Sequence, residues 1–230
     1  MTMDLSILLP AYLEEENLRL ILPRIKSQCQ LLTESFEIIV IDTMKPLDGT
    51  AELCQELGVK HISRTLGNTY GDAVRSGIAS SVGNSVVFMD ADGSHTPEFI
   101  RNLYENKDPN IICVASRYKD GGYTENSLIL VWMSMLVNIG YREVLGINCK
   151  DISNSFKLYP GEALRDLKLK CNNFDIVEEI LLKVLKQNPE FKISEIPFTF
   201  KKRMFGKTKR NLFLFMFTYL VTLFRLKLDL

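Results

Sequence analysis

Two carboxylates separated by one residue, Asp90 and Asp92, end the apolar run Val86-Val87-Phe88-Met89. An uncharged strand that stops at Asp-x-Asp presents charge at the carboxyl edge of a sheet, where open α/β domains receive ligands. Hard divalent cations take oxygen ligands, usually one or two carboxylates together with substrate phosphates. The pair therefore predicts Mg2+ or Mn2+ held by Asp90 and Asp92, with a phosphorylated substrate beside it. The plain alternative for an isolated Asp-x-Asp is a solvated loop after a strand. Zinc is not indicated, because His61 and His95 are the only histidines and neither sits in a ligand cluster.

Other chemistry-bearing residues follow strand-like runs. Tyr12 and Glu14 come just after Leu5 to Pro10, and Asp42 ends Glu37 to Ile41, where a carboxylate accepts hydrogen bonds from a base or ribose. Glu14 reads equally as a carboxylate in a first helical turn, favoured by the helix dipole. Leu66-Gly67-Asn68-Thr69-Tyr70-Gly71-Asp72 sets glycines before a helix start, where backbone can approach a ligand. Asp72 has a second reading as a helix cap. Fixed cations at a cleft bind pyrophosphate or a lipid monophosphate, although a single arginine after a strand, as Arg117 is, is usually solvated.

The elements that must position these residues alternate. Apolar strand signals at Leu5 to Leu9, Glu37 to Ile41, Val86 to Met89 and Ile111 to Ala115 are separated by helical patterns at Glu14 to Gln30, Thr50 to Leu57 and Asp72 to Ser80. That rhythm predicts βαβ units and a mostly parallel sheet with helices on both faces. The second half departs from it. Leu128 to Tyr141 is apolar nearly all round and, at roughly 14 residues, short of the ~20 that span a bilayer. Leu212 to Phe224 is similar, with basic residues on both sides. Each reads as a core helix or as a membrane-interface element.

Composition is that of an ordinary globular chain: 230 residues, 46% hydrophobic, 24% charged, formal net charge +0. The neutral total hides a basic C-terminal stretch, with Lys201, Lys202, Arg203, Lys207, Lys209, Arg210, Arg225 and Lys227 against Asp229 alone. Basic residues beside Leu212-Phe213-Leu214-Phe215 suit an anionic membrane surface rather than nucleic acid. The five scattered cysteines read as reduced thiols, and Met1 to Pro10 as a first strand rather than a signal segment, so a cytoplasmic protein is expected.

In order, PAYLE (10–14), Asp42 in IDTMKPLDGT, the Gly67/Gly71/Gly77 segment, DADGSHTPE (90–98), Ser116-Arg117-Tyr118, KDISNSFKLYP (150–160) and FKKRMFGKTK (200–209) resemble a family 2 inverting glycosyltransferase of the GT-A fold. Within it the likeness is nearest to dolichol-phosphate (polyprenyl-phosphate) mannose synthases. The resemblance covers nearly the whole chain. It implies a nucleotide-sugar site of Pro10, Tyr12, Glu14, Asp42, Gly71, Asp72, Asp90, Ala91 and Asp92, with Asp90, Asp92 and Arg117 catalytic. It also implies an acceptor site of Arg117, Lys157, Arg203 and Lys209, and a polyprenyl phosphate partner at the inner face of a membrane. Residues 1–210 would form the catalytic domain, 1–118 its nucleotide-sugar half and 119–210 its acceptor half, with 211–230 a separate apolar helix. A homo-oligomer is a further possibility for the apolar faces.

Several positions depart from the family pattern: Leu13 for Asn, Thr43 for the second Asp of the second loop, Ser94 for Gln and Ser155 for Gly. The apolar segment before KDISNS lacks the paired arginines of the synthases, and Arg142 alone stands nearby. A hydroxyl acceptor would require a general base, for which Asp175, Glu178 and Glu179 are candidates and a solvated helix face the alternative. Rival readings are a haloacid-dehalogenase-type phosphatase, in which the first Asp of DADGS is a nucleophile, and a catalytically silent binding relative.

Overall fold

The computed structural model describes residues 3–206 and 212–228. The first half runs β1 (Met3–Pro10), α1 (Glu15–Leu32), β2 (Phe36–Asp42), α2 (Thr50–Leu57), β3 (Lys60–Ser63), α3 (Tyr70–Ser80), β4 (Gly83–Phe88), α4 (Phe99–Glu105) and β5 (Ile111–Ser116). The second adds β6 (Tyr123–Thr124), α5 (Leu128–Leu145), β7 (Lys157–Pro160), α6 (Glu162–Arg165), α7 (Ile176–Gln187), β8 (Lys192–Pro197), β9 (Thr199–Phe200) and α8 (Leu212–Leu228). Seven strands make one sheet in the order β3-β2-β1-β4-β7-β5-β8, and β6 pairs with β9 apart from it. All neighbours in the large sheet are parallel except β7, which runs antiparallel to both β4 and β5.

Alternation along each strand divides the core. Leu8, Ile39, Ile41, Val86 and Phe88 face α3, α5, α7 and α8, whereas Leu5, Ile7, Leu9, Val40, Val87 and Met89 face α1, α2 and α4. A sheet buried on both faces explains why these strands read as continuous apolar runs. The short β3 and the half-polar β8 lack that signature and escape it; β7 escapes because its four residues follow a polar loop. The direction of β7 matters for the site. Phe88 pairs with Lys157, so the start of β7, and with it the loop 151–156, lies at the same edge as the carboxyl ends of β1, β4 and β5.

The two apolar helices show why each had two readings. Helix α5 extends four residues beyond the expected end to Leu145 and is 18 residues long, about 27 Å at ~1.5 Å per residue. By length and hydropathy it is able to cross a bilayer. Its faces differ, however: Val137, Asn138 and Tyr141 are buried, while Leu128, Ile129, Trp132, Leu136 and Ile139 are exposed at helical spacing. Helix α8 repeats this, with Tyr219, Leu223 and Leu226 buried and Leu220, Val221, Phe224 and Leu228 exposed. The two helices pack together, Tyr141 donating to the Tyr219 carbonyl at 3.1 Å and Lys227 to that of Val144 at 2.9 Å.

Tyr219, Leu223 and Leu226 of α8 thus belong to the same core as the sheet, and β7 of the second half sits inside the sheet of the first. Leu226→Ala, at a site 1% exposed, should lower unfolding free energy by about 2–5 kcal/mol in urea titrations. A detached helix would leave the midpoint unchanged.

Candidate active site

At the carboxyl edge of the sheet lies a cleft of about 620 Å³. Its walls come from the ends of four strands. Pro10 ends β1 and Tyr12, Leu13 and Glu14 follow it, Arg64 follows β3, Asp90, Ala91, Asp92 and Ser94 follow β4, and Arg117 follows β5. Ser153, Asn154 and Ser155 enter from the loop before β7, Ser134 and Met133 from α5, and Arg203 from the segment after β9. Leu13 holds φ +57°, a left-handed conformation that asparagine tolerates better than leucine.

The two acidic residues are both held. Asp92 Oδ1 accepts from Ser94 Oγ at 2.6 Å and from Ser94 N at 3.0 Å, and its Oδ2 lies 3.3 Å from Arg203 Nε. Burial opposes its charge, but the Ser94 hydrogen bonds and the Arg203 guanidinium together hold the carboxyl below its usual range. Arg203 Nη2 reaches Glu14 Oε1 at 2.5 Å. Burial nevertheless raises the Glu14 carboxyl, against the pull of Arg203. The strap carrying Arg203 crosses the acidic turn: Met204 N donates to the Asp92 carbonyl at 3.0 Å and Phe205 N to Asn17 Oδ1 at 3.0 Å. Gly93, at φ +80°, leaves room for Met204, whose sulfur would lie 2.6 Å from an added Cβ.

Arg117 is anchored, not solvated. Its Nε and Nη2 donate to the two oxygens of Asp151 at 2.8 and 2.6 Å, and Nη2 also meets Ser153 Oγ at 3.0 Å. Burial lowers its basicity, yet the Asp151 charge outweighs this and keeps the guanidinium charged.

Other expected residues lie elsewhere. Lys157 is fully buried and donates to the carbonyls of Ile152 and Asn154, so its ammonium cannot reach an acceptor; burial lowers it to about 8. Asp42 is also buried, accepting from Thr43 N at 2.7 Å and lying 3.3 Å from His61 Nε2, and does not line the cleft. Gly71 serves packing: an added Cβ would lie 2.3 Å from the Cys171 carbonyl. Asp72 completes a capping box with Thr69 and pairs with Arg75 at 2.8 Å. Lys209 falls outside the described residues. Asp175, Glu178 and Glu179 are buried, neither solvated nor in the cleft. Asp175 accepts from Thr222, Glu179 from Lys170 N and Cys171 N, and burial raises Glu178 to about 8.

Arg64 was missed in the sequence because β3 was missed. It is 5% exposed and joins two cleft walls, Nη1 donating to the carbonyls of Asn68 and Thr69 and Nη2 to that of Ala11. Tyr70 and Phe174, stacked at 4.0 Å, also line the cleft and come from segments 104 residues apart that only folding unites.

A carboxylate pair stands at a strand end, crossed by a cationic strap, and the family model for glycosyl transferase family 2 matches residues 6–168. The chain belongs to glycosyl transferase family 2. This membership removes the phosphatase reading of DADGS. The chain is 36% identical over 217 residues to a dolichol-phosphate mannosyltransferase of Pyrococcus furiosus, covering 90% of this chain and 59% of that protein. It is 32% identical over 226 residues to a polyprenol monophosphomannose synthase of Mycolicibacterium smegmatis, covering 89% and 80%. The chain thus spans a little under three-fifths of the first relative's length. The GT-A fold is shared with glucosyl-3-phosphoglycerate synthase of Mycobacterium tuberculosis, solved with Mn2+, UDP and phosphoglyceric acid. The TM-score is 0.75 at 18% identity, covering 98% of this chain and 78% of that one. The same enzyme with Mg2+ and UDP gives 0.71 at 16%, covering 97% and 79%.

Asp72→Ala should cost about 1 kcal/mol of stability through loss of the capping box. An unchanged urea midpoint would contradict the capping role.

Proposed function

We propose that the protein transfers a sugar, with inversion, from a nucleotide-diphosphate sugar to a polyprenyl phosphate, working peripherally at the cytoplasmic face of a membrane. The observation that carries this reading is the continuity of the cleft. The same cavity is lined by the polar Asp90, Asp92, Glu14 and Arg203 and by the apolar Leu130, Met133 and Val137 of α5 with Phe200. A charged donor and an apolar acceptor chain each find matching side chains in one cavity. The family resemblance and the printed names of both relatives support the same pairing.

The donor set fits a hard cation. Asp92 presents Oδ2 to a guanidinium, a cation already standing against it. Asp92, with Asp90, would hold Mg2+ or Mn2+. Among the described residues no group of three or more His, Cys, Asp or Glu is gathered for a metal, so diphosphate oxygens and water would supply the remaining ligands. When bound, the ion neutralises charge on the departing diphosphate.

Pro10, Tyr12, Glu14 and Ala91 wall the cleft beside the acidic turn for the donor, and Arg117 and Arg203 supply the cationic side for phosphate. An acceptor phosphate oxygen is already anionic and attacks without a protein base. A hydroxyl acceptor fits less well, because Asp175, Glu178 and Glu179 stand away from the cleft.

The test is transfer from GDP-mannose, UDP-glucose or UDP-N-acetylglucosamine to a polyprenyl phosphate with Mn2+ or Mg2+. One donor should yield lipid-linked sugar, and Asp92→Asn should reduce the rate by about 10²–10³. No transfer and no binding of any of the three would favour a silent relative.

Trp132 and Phe224, each 66% exposed, stand on the outer stripes of α5 and α8, with Arg142, Arg225 and Lys227 in their last turns. Vesicles containing anionic lipid should bind the protein in a salt-sensitive way, and Trp132→Glu with Phe224→Glu should weaken binding at least tenfold. Lipid-independent behaviour with a dimer in light scattering would assign those stripes to a second copy instead.

A further inference from the structure

Ser155 stands in the cleft wall, 7% exposed, and its hydroxyl donates to Asp90 Oδ1 at 2.9 Å. The other carboxylate oxygen, Oδ2, is 3.9 Å from His95 Nε2. That is beyond hydrogen-bond distance, and His95 Nε2 already has Asn154 Oδ1 at 3.2 Å. One oxygen of Asp90 is therefore held from the side while the carboxylate stays partly exposed to the cleft.

We propose that Ser155 is a positioning residue for Asp90, fixing the carboxylate in the orientation in which it meets the bound donor.

Three observations carry this. The hydroxyl is mounted on an immobilised loop. Ser153 N donates to Asn138 Oδ1 at 2.9 Å, Asn154 Nδ2 to the Ala115 carbonyl at 2.6 Å, and the buried Lys157 ammonium to the carbonyls of Ile152 and Asn154. Little conformational freedom remains for Ser155 to lose when it holds its partner. The serine is also unstrained, since Leu13 and Leu66 are the non-glycine residues with positive φ among those described. Finally, Ser94 does the same for the other acid, donating to Asp92 Oδ1 at 2.6 Å. Each acid has Oδ1 taken by a serine hydroxyl, and both serines stand where the family resemblance leads one to expect another residue. Glycine at 155 would have no hydroxyl to offer.

The effect of Ser155 on donor binding rests on the donor reading above, whereas its hold on Asp90 does not. The test compares Ser155→Ala with Ser155→Thr. A small apolar void lined by Tyr70, Val74, Phe88 and Tyr159 adjoins Ser155 and gives the threonine methyl room. Calorimetry with Mn2+ and GDP or UDP should show affinity about tenfold weaker in Ser155→Ala, the value expected for losing a hydrogen bond to a charged group. Ser155→Thr should return to within about twofold of wild type, with both melting temperatures within about 2 °C of it.

Wild-type affinity in Ser155→Ala would overturn the proposal, as would parallel loss of binding and melting temperature in both variants. A crystal structure of Ser155→Ala separates the two readings. If wild type binds neither nucleotide, the donor reading fails, and the Asp90 carboxylate still decides this one. A turned or disordered carboxylate supports positioning by Ser155, and one unchanged from wild type refutes it.

Discussion

A buried histidine joins the three segments on which the cleft depends. The backbone N–H of Asp90 donates to His95 Nδ1 at 2.9 Å, and His95 Nε2 meets Asn154 Oδ1 at 3.2 Å. Asn154 Nδ2 in turn donates to the Ala115 carbonyl at 2.6 Å. A backbone N–H can only donate, so Nδ1 must be the acceptor and the proton must sit on Nε2. Burial keeps the ring neutral by lowering its pKa. The acidic turn, β5 and the loop before β7 are thereby locked to one another. The ring is held in turn by stacking on Phe156 at 4.6 Å and edge contacts with Phe198 and Phe200.

Around that link stand two buried cations with structural work. Arg117 and Asp151 form a paired, hydrogen-bonded ion pair at the end of β5, and the Lys157 ammonium closes the loop between them. Buried charges persist only when such partners satisfy them, and removing one partner leaves the other uncompensated. The loop 151–156 is consequently rigid enough to carry Asn154 and Ser155 to the acidic turn. Antiparallel β7 supplies the geometry, because its start, not its end, lies at the ligand edge.

The helices α5 and α8 serve two environments at once. One stripe of each completes the core and, in α5, the apolar wall of the cleft; the opposite stripe is exposed. A helix apolar all round has no single preferred side. Tertiary contacts, here Tyr141 with Tyr219 and Lys227 with Val144, choose which residues are buried and which are offered outward.

Much was legible in the residues themselves. Apolar runs ending in charge marked β1, β2, β4 and β5, because a parallel sheet covered on both faces demands continuous hydrophobicity. The same runs placed Asp90, Asp92, Glu14 and Arg117 at strand ends, and motif order pointed to the family. What only the tertiary structure decided was the environment of each polar group. Lys157 and Arg117 are both cations in polar motifs, yet one is sealed beneath a loop and the other lines the cleft. Asp72 caps a helix, Asp42 is buried beside His61, and Glu178 and Glu179 are in the interior, not on a solvated face. Arg64, Tyr70 with Phe174, and Ser155 with Asp90 meet across long stretches of chain. Periodicity reports which side of an element is apolar, a local property. Burial, ion pairing and hydroxyl donation depend on which distant segment lies opposite, and that is set by strand order and packing.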